Sequence, residues 1–233
     1  MRDLDDVRVL IRSRSPFGPD RTENVIDQRF ASLPRRLTFA LGRWPLDSAA
    51  VLDVGCSWGH CLAHFGPGSM GIDSSQDHVE FCRALGLDAR LADANAAIPA
   101  PDGAFDFVWV SDVIEHLDAP RLLLRAAAPK LKPDGRLLLF LTLLPRVRLA
   151  RKLLRVRGIR RFDADAHHYQ FTIDTACHMV ERAGYSIESI CVPMKAGSLL
   201  RGITPRAYIE ARPDAIADSI ATNAEQRNRA DAG

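Results

Sequence analysis

From Ala50 onward the chain alternates short apolar segments with longer amphipathic ones. The apolar segments have the length of strands, and the segments between them repeat apolar residues with a helical period. The predicted strands cover 50–54, 69–73, 88–93, 104–110, 136–144, 186–192 and 205–211. The predicted helices cover 60–65, 75–86, 119–131 and 172–184, and two further short helices within 22–43 are broken at Pro34. This alternation predicts an α/β fold: a seven-stranded, mostly parallel sheet with helices on both faces.

Composition divides the chain into three parts. Residues 1–21 are charged and contain Ser, Pro and Gly, which predicts a flexible N-terminal arm. Residues 22–213 carry the strands and helices and are predicted to form one domain. Residues 214–233 are polar and alanine-rich, which predicts a C-terminal tail. Within the domain, Lys132–Gly135 predicts a turn before the fifth strand.

Overall composition argues against several classes of protein. An apolar content of 47% and a formal net charge of +2 are typical of a globular domain and give no indication of a nucleic-acid partner. The N-terminus lacks the apolar core of a secretory signal, and no apolar run has the length of a membrane span. The 5 cysteines are scattered and odd in number, so we expect no disulfide framework and a cytoplasmic location.

A group of potential metal ligands lies close together in the sequence: Cys56, His60, Cys61 and His64. Consecutive turns of one helix do not easily surround a tetrahedral ion, and no second ligand pair follows at zinc-finger spacing. We therefore predict no metal at these residues.

The segment "VLDVGCSWGH" after Ala50 contains Gly55, Ser57 and Gly59 in the pattern G-x-S-x-G. This pattern marks the nucleophilic serine of many hydrolases, and His167 or His168 could supply the histidine of such a site. However, the segment belongs to the first clear strand, and no oxyanion-hole loop precedes it. The alternative is a glycine-rich turn around a cofactor, in which Ser57 replaces the middle glycine of D-x-G-x-G-x-G. The dinucleotide pattern G-x-G-x-x-G fails, because His60 occupies its last position.

Acidic or small polar residues follow each of the next predicted strands. Asp73 ends the second strand, Asp93 ends the third, and Ser111 and Asp112 follow the fourth. In open parallel sheets, ligands bind beyond the carboxyl ends of the strands. The sequence therefore predicts a binding site at this edge of the sheet.

Five motifs together resemble one family: "VLDVGCSWGH", "GIDSS", "LADA", "FDFVWVSDVIEHL" and "LKPDGRLLLFL". The chain resembles the S-adenosylmethionine-dependent methyltransferases of the Rossmann-like class, and most of all the small-molecule branch that includes the ubiquinone-biosynthesis O-methyltransferases. The resemblance covers about residues 48–192. It implies S-adenosylmethionine as cofactor and the transfer of a methyl group to a small molecule, by O-methylation. The alternatives are an α/β serine hydrolase and a cofactor-binding protein without methyl transfer.

The resemblance also implies roles for individual residues. Gly55 and Gly59 let the backbone approach the cofactor, Asp53 orders the loop, Asp73 accepts the ribose hydroxyls, and Asp93 lies beside the adenine amino group. The full set of predicted cofactor-binding residues is Asp53, Gly55, Cys56, Ser57, Gly59, Asp73, Ser74, Asp93, Ala94 and Ser111.

A hydroxyl acceptor also requires a base, and the candidates for this catalytic role are His116, His167 and His168. Asp112, Glu115 and His116 resemble an E-x-x-E-H segment that is associated with a divalent metal in the ubiquinone-type enzymes. The alternative is that Asp112 caps a short helix while His116 packs beneath it, and we assign no metal to the site.

In the family, the region after the fifth strand contributes to the cover of the acceptor pocket, which we expect here at 144–171. This region contains an uninterrupted basic stretch over 146–161. The stretch has three interpretations: a solvated helix face, a site for an anionic or carrier-bound acceptor, or weak peripheral contact with anionic lipid. The sequence predicts neither the identity of the acceptor nor the oligomeric state.

Overall fold

The computed structural model of the protein describes residues 3–143, 168–191 and 206–214. Its helices are α1 (Leu4–Arg14), α2 (Pro19–Arg29), α3 (Arg35–Leu41), α4 (Gln76–Ala84), α5 (Pro120–Ala127) and α6 (Ile173–Arg182). Its strands are β1 (Val51–Val54), β2 (Met70–Asp73), β3 (Ala89–Leu91), β4 (Phe105–Ser111), β5 (Leu131–Thr142), β6 (Tyr185–Cys191) and β7 (Arg206–Pro213). Short 3₁₀ helices cover Leu62–His64, Ile114–His116 and Ala128–Lys130.

The strands form one 7-stranded sheet in the order β3-β2-β1-β4-β5-β7-β6. The pairs from β3 to β5 are parallel, whereas β7 runs antiparallel to both β5 and β6. The predicted seven-stranded, mostly parallel sheet is therefore confirmed. The carboxyl ends of β1, β2, β3 and β4 meet at one edge, where the predicted site residues follow them.

Both faces of the central strands are buried, which explains their nearly continuous apolar sequences. On β4, Val108 and Val110 face a core shared with α5 and α6, while Phe107 and Trp109 face a second core beneath α3. A third core joins α1, α2 and α4 to the loop after β1. Helices thus cover both faces, as the sequence pattern predicts.

The N-terminal segment differs from the prediction. The prediction of a flexible arm over 1–21 is wrong, because residues 4–14 form helix α1. Helix α2 already begins at Pro19. Val7 and Ile11 are 2% and 0% exposed, and they pack in the core shared with α2 and α4. These two apolar residues lie one helical turn apart on a single face, so a largely charged segment still docks. The Asp3 carboxylate caps the helix by accepting from Asp5 N–H at 2.8 Å.

Two further elements differ in extent. The predicted turn at Lys132–Gly135 lies inside β5, whose pairing with β4 shifts register between Phe105 and Phe107. The predicted helix at 60–65 is only a 3₁₀ turn over Leu62–His64.

Several predictions fall on residues that the structure does not describe. These are the basic stretch at 146–161, His167, most of the predicted cover at 144–171, and the tail beyond Asp214. Among the described helices, none is both long and apolar enough to cross a membrane.

Candidate functional site

The loop after β1 has a backbone that only glycine fits at two positions. Gly55 and Gly59 have φ angles of +73° and +75°. A Cβ on Gly55 would lie 2.5 Å from Val113 Cγ2, and one on Gly59 would lie 2.9 Å from Cys82 Sγ. Gly55 N–H also donates to the Ile72 carbonyl at 2.8 Å, which ties the loop to β2. Because the two glycines have no side chain, the backbone of the loop can lie close to Val113 and Cys82.

Ser57 lies between these two glycines and shares their backbone conformation. Its φ angle is 51°, in the left-handed region that favours glycine. Its N–H donates to Asp73 Oδ2 at 2.8 Å. This geometry agrees with Ser57 occupying a position of the loop that favours glycine. The structure describes no hydrogen bond from the Ser57 hydroxyl to a histidine, so nothing in it supports the hydrolase alternative.

Asp73, at the end of β2, accepts hydrogen bonds on both carboxylate oxygens. Besides the bond from Ser57, its Oδ1 accepts from Ser75 N–H at 2.9 Å and lies 3.0 Å from His78 Nδ1. Burial alone would raise the pKa of Asp73, but the hydrogen bonds from His78, Ser75 and Ser57 lower it below the ordinary value. The carboxylate is therefore ionised and held in one orientation at the mouth of the glycine loop.

A cavity of about 310 Å³ opens at this edge of the sheet. The predicted cofactor residues that line it are Gly55, Asp73, Ser74, Asp93 and Ala94. Further lining residues include Asn95, Asp112, Val113 and His116. The other predicted cofactor residues, Asp53, Cys56, Ser57, Gly59 and Ser111, do not line the cavity. The structure thus brings together the residues that follow β1, β2, β3 and β4.

A groove of about 340 Å³ lies elsewhere, between Pro120, Leu122, Tyr169 and Met179. None of the predicted site residues lines it. The groove and the cavity are of similar volume, but of the two only the cavity has the convergent carboxylates that make a polar ligand site.

Asp53 lies within β1 and is 3% exposed. Its Oδ2 has no hydrogen-bond partner among the described residues. Burial raises the pKa of Asp53 to about 7, although the charge of Arg36 opposes the shift. Asp53 therefore titrates near neutral pH, in contrast to Asp73.

Arg36, on α3, is a residue near the site that the sequence pattern does not reveal. Its guanidinium lies 2.8 Å from Nε2 of His60, the residue that directly follows the glycine loop. Burial and the charge of Arg36 lower the pKa of His60 to about 3. His60 is therefore neutral and accepts the hydrogen bond, which leaves its proton on Nδ1.

Beyond β4, the chain turns sharply at Asp112, which has a φ angle of 52°. Asp112 N–H donates to the Phe140 carbonyl at 3.0 Å. Glu115 is 6% exposed, its Oε2 has no described hydrogen-bond partner, and burial together with the charge of Asp112 raises its pKa. The Ser111 hydroxyl is likewise buried with no hydrogen-bond partner among the described residues. Within the described ranges, no three His, Cys, Asp or Glu side chains form a group that could hold a metal ion.

The three candidate bases are placed very differently. His116 lines the cavity. His168 Nδ1 lies 3.0 Å from Asp118 Oδ1, its side chain is 51% exposed, and it does not line the cavity. His167 lies outside the described residues. Of the described candidates, the geometry therefore favours His116 for contact with a ligand.

Asn95 is a second residue that the sequence analysis did not single out. Its N–H donates to Asp93 Oδ1 at 2.8 Å. Its side-chain oxygen accepts from Asp118 N–H at 3.0 Å and from Ala119 N–H at 3.4 Å. Asn95 thus joins the loop after β3 to the loop after β4 and closes one wall of the cavity. In the sequence, an asparagine within "ADANA" predicts only a turn. Its hydrogen bonds to residues 118–119 arise from the tertiary fold, so the sequence pattern does not reveal them.

Comparison with known proteins identifies the family to which the chain belongs. A family model described as a methyltransferase domain matches residues 25–190. The chain belongs to this methyltransferase family. The methyltransferase is 30% identical over 193 residues to the ubiquinone biosynthesis O-methyltransferase of Xylella fastidiosa, covering 75% of this chain and 74% of that protein. The resemblance to the small-molecule branch is confirmed.

Solved structures share the fold at low sequence identity. An S-adenosylmethionine-dependent methyltransferase of Thermotoga maritima superposes with a TM-score of 0.60 at 19% identity, covering 88% of this chain and 99% of that one. The cyclase SpnF superposes with a TM-score of 0.59 at 19% identity, covering 77% of this chain and 81% of that one. A fold that also occurs in a cyclase does not fix the reaction. The family model and the relatives identify this chain as an S-adenosylmethionine-dependent methyltransferase.

Proposed function

We propose that the enzyme transfers a methyl group from S-adenosylmethionine to a hydroxyl group of a small molecule. The observation that carries the proposal is the cavity of about 310 Å³, which brings Gly55, Asp73 and Asp93 together. The relative from Xylella fastidiosa is an O-methyltransferase of ubiquinone biosynthesis, and this supports a hydroxyl acceptor.

The residues of the cavity fit an S-adenosyl ligand. The ionised Asp73 can accept from ribose hydroxyls, Asp93 can accept from the adenine amino group, and Ala94 offers a backbone donor nearby. Gly55 lines the cavity without a side chain, so a ligand can lie against the backbone of the glycine loop. When bound, S-adenosylmethionine supplies a methyl group that its sulfonium already activates.

The remaining tasks belong to the chain's own residues. These residues must hold the acceptor oxygen in line with the methyl group and remove the proton of the hydroxyl group. We propose His116 as the base because it lines the cavity. His168, the alternative, would first have to leave Asp118. His167 keeps its sequence-based prediction as a third candidate.

We also propose that residues 144–171 cover the acceptor. The described ends of this segment support the proposal, since Leu143 and Phe171 pair in a β-bridge at the end of β5. Tyr169 N–H donates to the Glu115 carbonyl at 3.1 Å, and its hydroxyl donates to the Asp118 carbonyl at 2.9 Å. The segment therefore returns to the sheet directly beside the loop that carries His116.

Two measurements test the proposed function. Calorimetry should detect binding of S-adenosylhomocysteine, and both S-adenosylhomocysteine and S-adenosylmethionine should raise the melting temperature. Transfer of a labelled methyl group should then be followed with a panel of phenols, aliphatic alcohols and amines. Methylation of a hydroxyl compound supports the proposal. Methylation confined to amines would refute O-methylation, and the absence of any binding would refute the cofactor assignment.

A further inference from the structure

His78 lies on the first turn of α4 and connects the glycine loop to the ribose-binding candidate Asp73. Its Nδ1 is 3.0 Å from Asp73 Oδ1, and its side chain is 26% exposed. An ionised carboxylate only accepts hydrogen bonds, so the proton of this bond resides on the histidine Nδ1. His78 therefore donates to the same oxygen that Ser75 N–H contacts.

The imidazole ring has its own support. Trp58, from the glycine loop, meets it edge-on with ring centroids 4.5 Å apart and an interplanar angle of 67°. Trp58 in turn makes edge contacts with Phe17 at 5.8 Å and with Phe81 at 5.2 Å. The N-terminal segment and α4 thus fix the indole, and the indole restricts the rotation of the imidazole.

The number of donors on Asp73 limits how a ribose can bind. A carboxylate has about four positions at which it accepts a hydrogen bond. The bonds from Ser57, Ser75 and His78 leave Asp73 little freedom to rotate. About one accepting position remains, so a ribose hydroxyl binds a carboxylate that is already oriented, and this preorganisation lowers the entropic cost of binding.

We propose that His78 is a positioning residue that orients the Asp73 carboxylate for the ribose diol of S-adenosylmethionine. The inference rests on the proposed function, because it requires an S-adenosyl ligand in the cavity. His78 is not a catalytic residue in this proposal, since it acts through Asp73 and does not line the cavity.

Substitutions of His78 can distinguish the effect of losing the hydrogen-bond donor from the effect of losing the volume of the ring. His78→Leu removes the Nδ1 donor and keeps an apolar side chain against Trp58. His78→Asn places an amide N–H near the position of Nδ1, whereas the amide of His78→Gln reaches farther. Glu80→Gln is the matched control, because it alters an exposed side chain of the same helix whose described hydrogen bond is from Gln76.

Calorimetric titration of the full chain with S-adenosylhomocysteine provides the main measurement. We expect His78→Leu and His78→Gln to weaken binding roughly tenfold, because each removes a hydrogen bond that orients the ionised carboxylate. His78→Asn should restore affinity to within about threefold of the unaltered chain, and Glu80→Gln should leave it unchanged. If His78→Leu fails to fold, the contrast between Asn and Gln still decides the question.

Two further titrations exclude a merely structural role. A 2′,3′-dideoxyribose analogue of S-adenosylhomocysteine has no diol, so its affinity should be the same for His78→Leu and the unaltered chain. In an Asp73→Ala background, His78→Leu should have no additional effect on either ligand. An equal loss for the dideoxy analogue, or a further loss in that background, would overturn the positioning role.

The outcomes also distinguish this inference from the proposed function. Equal affinity for S-adenosylhomocysteine in the unaltered chain and in the His78→Leu variant refutes only the role of His78. An unaltered chain that binds neither S-adenosylhomocysteine nor S-adenosylmethionine refutes both.

Discussion

Gly55→Ala would place a methyl group 2.5 Å from Val113 Cγ2, in a residue whose φ angle is +73°. The left-handed backbone costs an alanine about 1–2 kcal/mol. The overlap with Val113 forces a shift of the glycine loop or of the turn after β4, and such overpacking typically costs about 1–3 kcal/mol. We therefore expect the free energy of unfolding to fall by about 2–5 kcal/mol, the sum of these two costs, and the affinity for S-adenosylhomocysteine to fall with it.

Urea denaturation of the full chain measures the loss of stability. Gly103→Ala is the matched control, because Gly103 has a φ angle of +64° and nothing within 4 Å of an added Cβ. It should carry only the backbone cost of about 1–2 kcal/mol. Adding Val113→Ala to Gly55→Ala should recover part of the difference. Equal losses for Gly55→Ala and Gly103→Ala would refute the close approach of Val113 to the loop.

Three other substitutions test the site. Asp73→Ala should weaken S-adenosylhomocysteine binding roughly tenfold or more by calorimetry, because a charged hydrogen bond contributes about 1.5–3 kcal/mol, and an unchanged affinity would exclude contact with the ribose. Ser57→Gly should keep the free energy of unfolding in urea or raise it by up to about 1 kcal/mol, since it relieves a φ of 51°; a clear loss would contradict the glycine-like role. Relative to the unaltered chain, Asp53→Asn should gain stability as pH rises from about 4 to 7, because the pKa of Asp53 is raised from 3.8 to about 7 in the folded state. Across that range the unfolded chain has released the proton that the native acid still holds, so the unaltered chain loses stability and the asparagine variant does not. A difference in stability that is independent of pH would refute the raised pKa.

The sequence predicted those features that depend on local pattern. Strands with both faces buried give continuous apolar runs, so β4 and β5 could be located without a structure. Asp73 and Asp93 could be found because the carboxyl ends of parallel strands meet at one edge, whatever the sequence between them. Both residues line the cavity.

Other features depend on contacts between distant segments. Val7 and Ile11 are two apolar residues within a charged helix, and only the surface offered by α2 and α4 makes them core residues. Arg36 reaches His60 across 24 positions of the chain. No spacing rule relates a residue of α3 to one that follows the glycine loop, so this contact could not be derived from the sequence.

The position of β7 in the sheet has a consequence for how the chain folds while it is being synthesised. The ribosome completes β6 before β7, yet among the described strands β6 pairs only with β7. Until Arg206–Pro213 emerges, the hydrogen-bonding edge of β5 at Leu137–Thr142 is open to strands of other nascent chains. Arg206–Pro213 thus supplies the hydrogen bonds that join β6 to the sheet, and release of a chain truncated before Arg206 would yield an aggregation-prone product.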